Sequence, residues 1–148
     1  MAHTLPLVVA KFFFWNSGTT MQMSVQGLLR TLLCQAANKC KILVPSLFPK
    51  RWHYHKRYGD DFHPWTCQNY RKAFEALLQE DRKSIRLCFF IDGLDEFSGD
   101  HTDLVSIIKK FVLTTIKGEI LHIQQTLGMF RRCLWPRYSP VPRETYIS

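Results

Sequence analysis

The chain has 148 residues, a net charge of +8 and a hydrophobic fraction of 46%. That length and balance allow one domain with a real core and exclude wholesale disorder. Residues 5–15, the most apolar stretch, are interrupted by Lys11 and fall short of the roughly 18 residues a membrane span needs.

The same stretch makes a poor signal peptide, because no basic residue precedes it. The expectation is a cytoplasmic protein with no membrane partner. Its cysteines, Cys34, Cys40, Cys67, Cys88 and Cys133, should then be reduced. The charge is unevenly placed. Residues 1–59 contain no Asp or Glu but eight Lys and Arg, while residues 60–148 hold twelve basic and twelve acidic residues. Such a field attracts nucleic acid or an acidic protein surface.

In chain order, residues 7–14 read as a buried strand, β-branched and aromatic, ending at Asn16-Ser17-Gly18. Ser24 is a helix cap, and Val25, Leu28, Leu29, Leu32, Leu33 and Ala36 then recur at helical spacing to about residue 38. Pro45 and Pro49 break the next segment into turns. Residues 51–65 show no clean period and read as a loop with at most one helical turn. Thr66 caps a further helix with Tyr70, Phe74, Leu77 and Leu78 on one stripe, to about residue 79.

Beyond Arg86, residues 86–91 are apolar without alternation, as suits a strand buried on both faces of a parallel sheet. After a loop with two glycines, Asp100 caps a helix whose buried face is Leu104, Ile107, Ile108, Phe111 and Val112. The order strand, helix, helix, strand, helix predicts an α/β sandwich with parallel strands. Residues 118–148 carry a weaker pattern, and the Pro-rich end from about residue 135 reads as a disordered tail.

The segment that carries chemistry is Phe90-Ile91-Asp92-Gly93-Leu94-Asp95-Glu96-Phe97. An apolar strand delivers Asp92 at its C-terminal end, where α/β sheets bind ligands. A carboxylate there can hold hydrated Mg²⁺ that bridges nucleotide phosphates, and a following carboxylate can orient water. The competing reading is structural, since Asp before Gly often only caps a turn.

Residues 86–97 resemble the Walker B segment of NACHT domains. Three further stretches resemble the fungal, incompatibility-type branch of these STAND NTPases: Phe12-Phe13-Phe14-Trp15-Asn16-Ser17-Gly18-Thr19, Gln26-Gly27-Leu28-Leu29-Arg30-Thr31-Leu32-Leu33, and Gly59-Asp60-Asp61-Phe62-His63-Pro64-Trp65-Thr66. The resemblance covers residues 7–112. It implies a P-loop NTPase fold, here a three-layer sandwich with an incomplete sheet, with residues 1–117 forming a partial domain. It also implies an innate-immunity-like switch that binds ATP or GTP with Mg²⁺. Asp92 would be the Mg²⁺-linked residue, and Asp95 with Glu96 the acidic pair near the hydrolytic water.

The phosphate-binding pattern Gly-x-x-x-x-Gly-Lys-[Ser/Thr] is absent, and the chain contains no Gly-Lys dipeptide. That loop supplies the backbone cradle and the lysine for the phosphates. The expectation is therefore a truncated domain that does not hydrolyse nucleotide alone. Its partners would be proteins, namely full-length NACHT relatives or further copies of itself. In such sheets the Walker B strand lies beside the Phe-Phe-Trp strand. An open apolar edge on its other side invites aggregation.

Two clusters carry competing readings. His53, His55, His63 and Cys67 lie within fifteen residues but match no zinc spacing, so they read as a solvated aromatic loop. Residues 50–57 interleave bases with aromatics in a way that suits nucleic acid. No nucleic-acid fold accompanies them, and packing is the preferred reading. The stripe from Val25 to Ala36 could bind a partner, although a core-facing helix is the commoner explanation.

Overall fold

The computed structural model describes residues 4–60, 63–81 and 83–115, with the side chains of the final helix described to residue 110. The elements are β1 (Leu7–Phe13), α1 (Val25–Lys39), α2 (Val44–Leu47), α3 (Pro49–Tyr58), α4 (Cys67–Glu80), β2 (Arg86–Asp92) and α5 (His101–Thr115). Short 3-10 turns occupy Thr20–Met23, Lys41–Leu43 and Leu94–Glu96. The chain is a mixed α/β protein.

β1 and β2 pair in parallel, with Leu7 opposite Arg86 and Phe13 opposite Asp92. This pairing agrees with the expected neighbourhood of the two strands. Both end at the same edge of the sheet, so the loops that follow them meet there. The Phe14 N–H donates to the Asp92 carbonyl (3.0 Å) and extends the ladder one step past β1.

Burial along β1 alternates strictly, with Val8, Ala10 and Phe12 inside and Leu7, Val9, Lys11 and Phe13 outside. On β2, Phe89 and Ile91 are buried, whereas Cys88, Phe90 and Asp92 are half-buried. The expectation of strands buried on both faces is therefore corrected. One face carries the core, and the other leaves Leu7 50% and Phe13 55% exposed. Among the described residues the sheet has two strands, α1 packs against β1, and α4 packs against α1.

The core helices follow their sequence signals. The Ser24 side chain accepts a hydrogen bond from the Gly27 N–H (3.1 Å) and caps α1. Leu28, Leu29, Leu32, Leu33 and Ala36 are then fully buried. Each such leucine contributes roughly 1.5–3 kcal/mol of burial free energy. Thr66 and Asn69 cap α4 reciprocally, which satisfies N–H groups that the first turn leaves unpaired. Tyr70, Phe74, Leu77 and Leu78 face the same core. α5 adds Leu104, Ile107 and Ile108, and ion pairs from Arg71 to Asp103 and from Lys110 to Glu75 tie it to α4. The side chains of Phe111 and Val112 lie outside the described residues, as do the segment 118–148 and its predicted tail.

Residues 51–65 depart from expectation, because the ten-residue helix α3, Pro49–Tyr58, runs into them. Pro49 sits in the first turn, where its missing N–H costs nothing, and Gly59 at φ 87° stops the helix. No residue of α3 is buried, so the helix has no apolar stripe to reveal its period.

Side chains pair one position on the outer edge of each strand. Gln35 of α1 bonds the Lys11 backbone twice: its Oε1 accepts from the N–H and its Nε2 donates to the carbonyl, both at 2.8 Å. On β2 the Asp81 carboxylate accepts from the Leu87 N–H (2.9 Å).

Candidate functional site

The site lies where the two parallel strands end. β2 carries Asp92 to the edge of the sheet, half-buried. There the chain turns on Gly93, which adopts the left-handed conformation (φ 68°, ψ 31°). A side chain here would meet a second obstacle, because a Cβ on Gly93 would stand 2.5 Å from the Phe14 carbonyl oxygen. Glycine is thus required both by the turn and by the close approach of β1. A 3-10 turn, Leu94–Glu96, follows.

The three predicted carboxylates take different environments. The Asp92 Oδ1 accepts from the Gly93 N–H (2.8 Å), which turns this carboxylate onto its own loop. Asp95 is exposed to solvent. The Glu96 Oε2 accepts from the Asn16 N–H at 2.7 Å, reaching across to the loop after β1. Among the described residues, no three His, Cys, Asp or Glu stand together in a group that could hold a metal ion.

The Glu96 contact is one part of a wider seam. The Ser98 N–H donates to the Met23 carbonyl (3.0 Å). Phe97 is buried edge-on against Phe14, with ring centroids 5.4 Å apart. The β2 exit loop is therefore strapped over the β1 exit loop through Gly93, Glu96, Phe97 and Ser98. Sequence reasoning missed this role for Glu96. The available signal was topological: parallel neighbours end at one edge, so a carboxylate after one strand can reach backbone amides after the other.

Elsewhere, Arg51 emerges as a structural residue. Its guanidinium donates to the carbonyls of His63 (2.9 Å) and Pro64 (3.1 Å) and lies 3.9 Å over the Trp65 ring. Trp65 in turn stacks on Tyr70 of α4, whose hydroxyl pKa is raised by burial. One base of the 50–57 run, Arg51, thus packs against the loop that follows α3. His53, His55, His63 and Cys67 belong to no metal-holding group among the described residues. His53 and His55 are exposed on α3, and the His63 ring stands edge-on to Tyr54. No helix among the described residues is long and apolar enough to cross a membrane.

With this geometry in place, comparison with known proteins is informative. Residues 3–123 match the family model described as nephrocystin 3, N-terminal. The chain belongs to the nephrocystin 3 N-terminal family. No curated protein and no solved structure matches it. The family match spans both strands, the whole strapped seam and all five helices, so the candidate site lies inside the part of the chain that defines the family.

Proposed function

We propose that this chain is the Walker B half of a NACHT-type nucleotide-dependent switch, of the kind found in fungal incompatibility and innate-immunity-like proteins. It does not hydrolyse nucleotide by itself. The observation that carries this reading is the delivery of Asp92, at the C-terminal end of a parallel strand, into a glycine turn followed by Asp95 and Glu96. That is where a P-loop NTPase sheet places the carboxylate facing a nucleotide-bound cation.

The residues present do not fit a complete site for ATP or GTP with Mg²⁺. Asp92 bonds its own turn and Glu96 bonds the Asn16 amide. The 148 residues supply no Gly-Lys phosphate loop. Because Mg²⁺ dehydrates reluctantly, a single carboxylate holds it weakly. Partners follow from the exposed face of β1. Exposed Leu7, Val9, Phe13 and Trp15 favour association with protein, either a full-length NACHT relative or another copy of the chain.

Fluorescent ATP and GTP titrated with Mg²⁺ into the wild type and Asp92→Ala test the reading. Neither protein should bind either nucleotide measurably. Tight binding by the wild type that Asp92→Ala abolishes would overturn the claim that this half is inactive alone.

A further inference from the structure

The helix α3 presents a surface that the switch reading does not use. Pro49, Lys50, His53, Tyr54, Arg57 and Tyr58 line a shallow groove of about 460 Å³ along one side of it. These positions recur at intervals of three and four residues, so they form one continuous helical stripe. All six are exposed, with Tyr54 40% and Tyr58 67% accessible. Among the described residues no carboxylate lines the groove, and residues 1–59 contain none at all. Exposed rings flanked by cations, on a helix with no fully buried residue, have the composition of a contact surface.

We infer that this groove docks an acidic amphipathic helix of a partner protein. Lys50 and Arg57 are seven residues apart, roughly 10 Å along the axis, and so stand two turns apart on one line. Carboxylates spaced by two turns on an opposing helix meet both cations. An apolar side chain between them lies on the Tyr54 and Tyr58 rings. Arg and Tyr are the residue types that anchor such interfaces.

Two other occupants fit less well. A second copy presents the same basic stripe and carries the same +8 charge, which repels. Single-stranded nucleic acid needs open ring faces on which successive bases stack. Here Tyr54 is hemmed by Tyr58, at 5.0 Å and 45°, and by His63, at 6.2 Å and 86°.

The test uses the full chain and a fluorescein-labelled alanine-based helical peptide. The peptide carries Glu in an i, i+3, i+7 pattern, with Leu at i+4. A scrambled peptide of the same composition and a dT oligonucleotide serve as competitors, and anisotropy is the readout. The patterned peptide should bind. Combined Lys50→Glu and Arg57→Glu should weaken it by about tenfold or more, and added salt should weaken it too. Tyr58→Ala should weaken it several-fold with little change in salt dependence.

Thermal melting of each variant checks the fold, and Lys50→Gln with Arg57→Gln replaces the reversal if that variant melts early. Absence of peptide binding would sink the proposal, as would equal binding of the scrambled peptide or indifference to charge reversal. Tighter binding of the oligonucleotide, lost in the same variant, would assign the groove to nucleic acid instead.

Discussion

The hydrogen bond from the Asn16 N–H to the Glu96 carboxylate can be tested by removing its acceptor. In Glu96→Ala the bond disappears, and the β1 exit loop loses its one charge-assisted tie to the β2 exit loop among the described residues. A hydrogen bond to a charged group contributes about 1.5–3 kcal/mol when well shielded. This one is exposed to water, which can replace the lost acceptor, so the expected loss falls below that range, at about 1–1.5 kcal/mol. With a urea slope of about 2 kcal/mol/M, the midpoint should fall by about 0.5–0.8 M. Glu96→Gln keeps an acceptor oxygen and loses the charge, so it should recover about half of the loss. Amide exchange supplies an independent readout: the Asn16 N–H should exchange faster in the alanine variant and at an intermediate rate in the glutamine variant. If Glu96→Ala matches the wild type in both midpoint and Asn16 exchange, the strap is not a stabilising contact.

Gly27→Ala should destabilise the protein by about 2 kcal/mol or more, although helix propensity alone favours alanine by about 1 kcal/mol. The added Cβ would stand 1.7 Å from the Met21 carbonyl oxygen, and a stabilised variant in thermal melts would refute the geometry. Gly93→Ala should cost about 2–4 kcal/mol, from left-handed strain plus the clash with Phe14. Asn tolerates the backbone angle but not the clash, so full recovery in Gly93→Asn would show that the angle alone matters. Burial pushes the Cys88 thiol pKa up, so its thiolate forms only at more alkaline pH, and iodoacetamide should label it more slowly than the exposed Cys34 at neutral pH. Faster labelling of Cys88 by mass spectrometry would contradict its burial. The exposed face of β1 should limit solubility, and Phe13→Lys should raise the concentration at which light scattering detects association. No change would mean that another surface governs it.

The strands, α1 and α4 were readable because each advertises itself within a dozen or so residues. A capping side chain precedes an apolar stripe, and burial of that stripe fixes the element. α3 was not readable, because it buries nothing and carries no apolar period; its boundaries come from Pro49 and Gly59. The one-sided burial of the sheet was hidden for a different reason. Leu7, Val9 and Phe13 are apolar whether or not anything covers them, so β1 lacks the polar alternation that normally reveals an open face. The Gln35 pairing with Lys11 spans 24 residues and depends on how α1 lies against β1, which no local pattern encodes.

At the site, Asp92, Gly93, Asp95 and Glu96 were all legible as a group, but their separate duties were not. The structure shows that two of the three carboxylates engage backbone N–H groups at the strand ends. Those bonds help shape the loop, so Asp92 and Glu96 have a structural role beside any chemistry. This bears on how Asp92 should be probed. Asp92→Ala removes the charge and also the acceptor for the Gly93 N–H, so it perturbs the turn and any ion affinity together. Asp92→Asn keeps an oxygen for the turn and removes only the charge. A partner-dependent activity lost in both variants therefore belongs to the charge. One lost in Asp92→Ala and retained in Asp92→Asn belongs to the shape of the loop that Gly93 and Glu96 strap against β1.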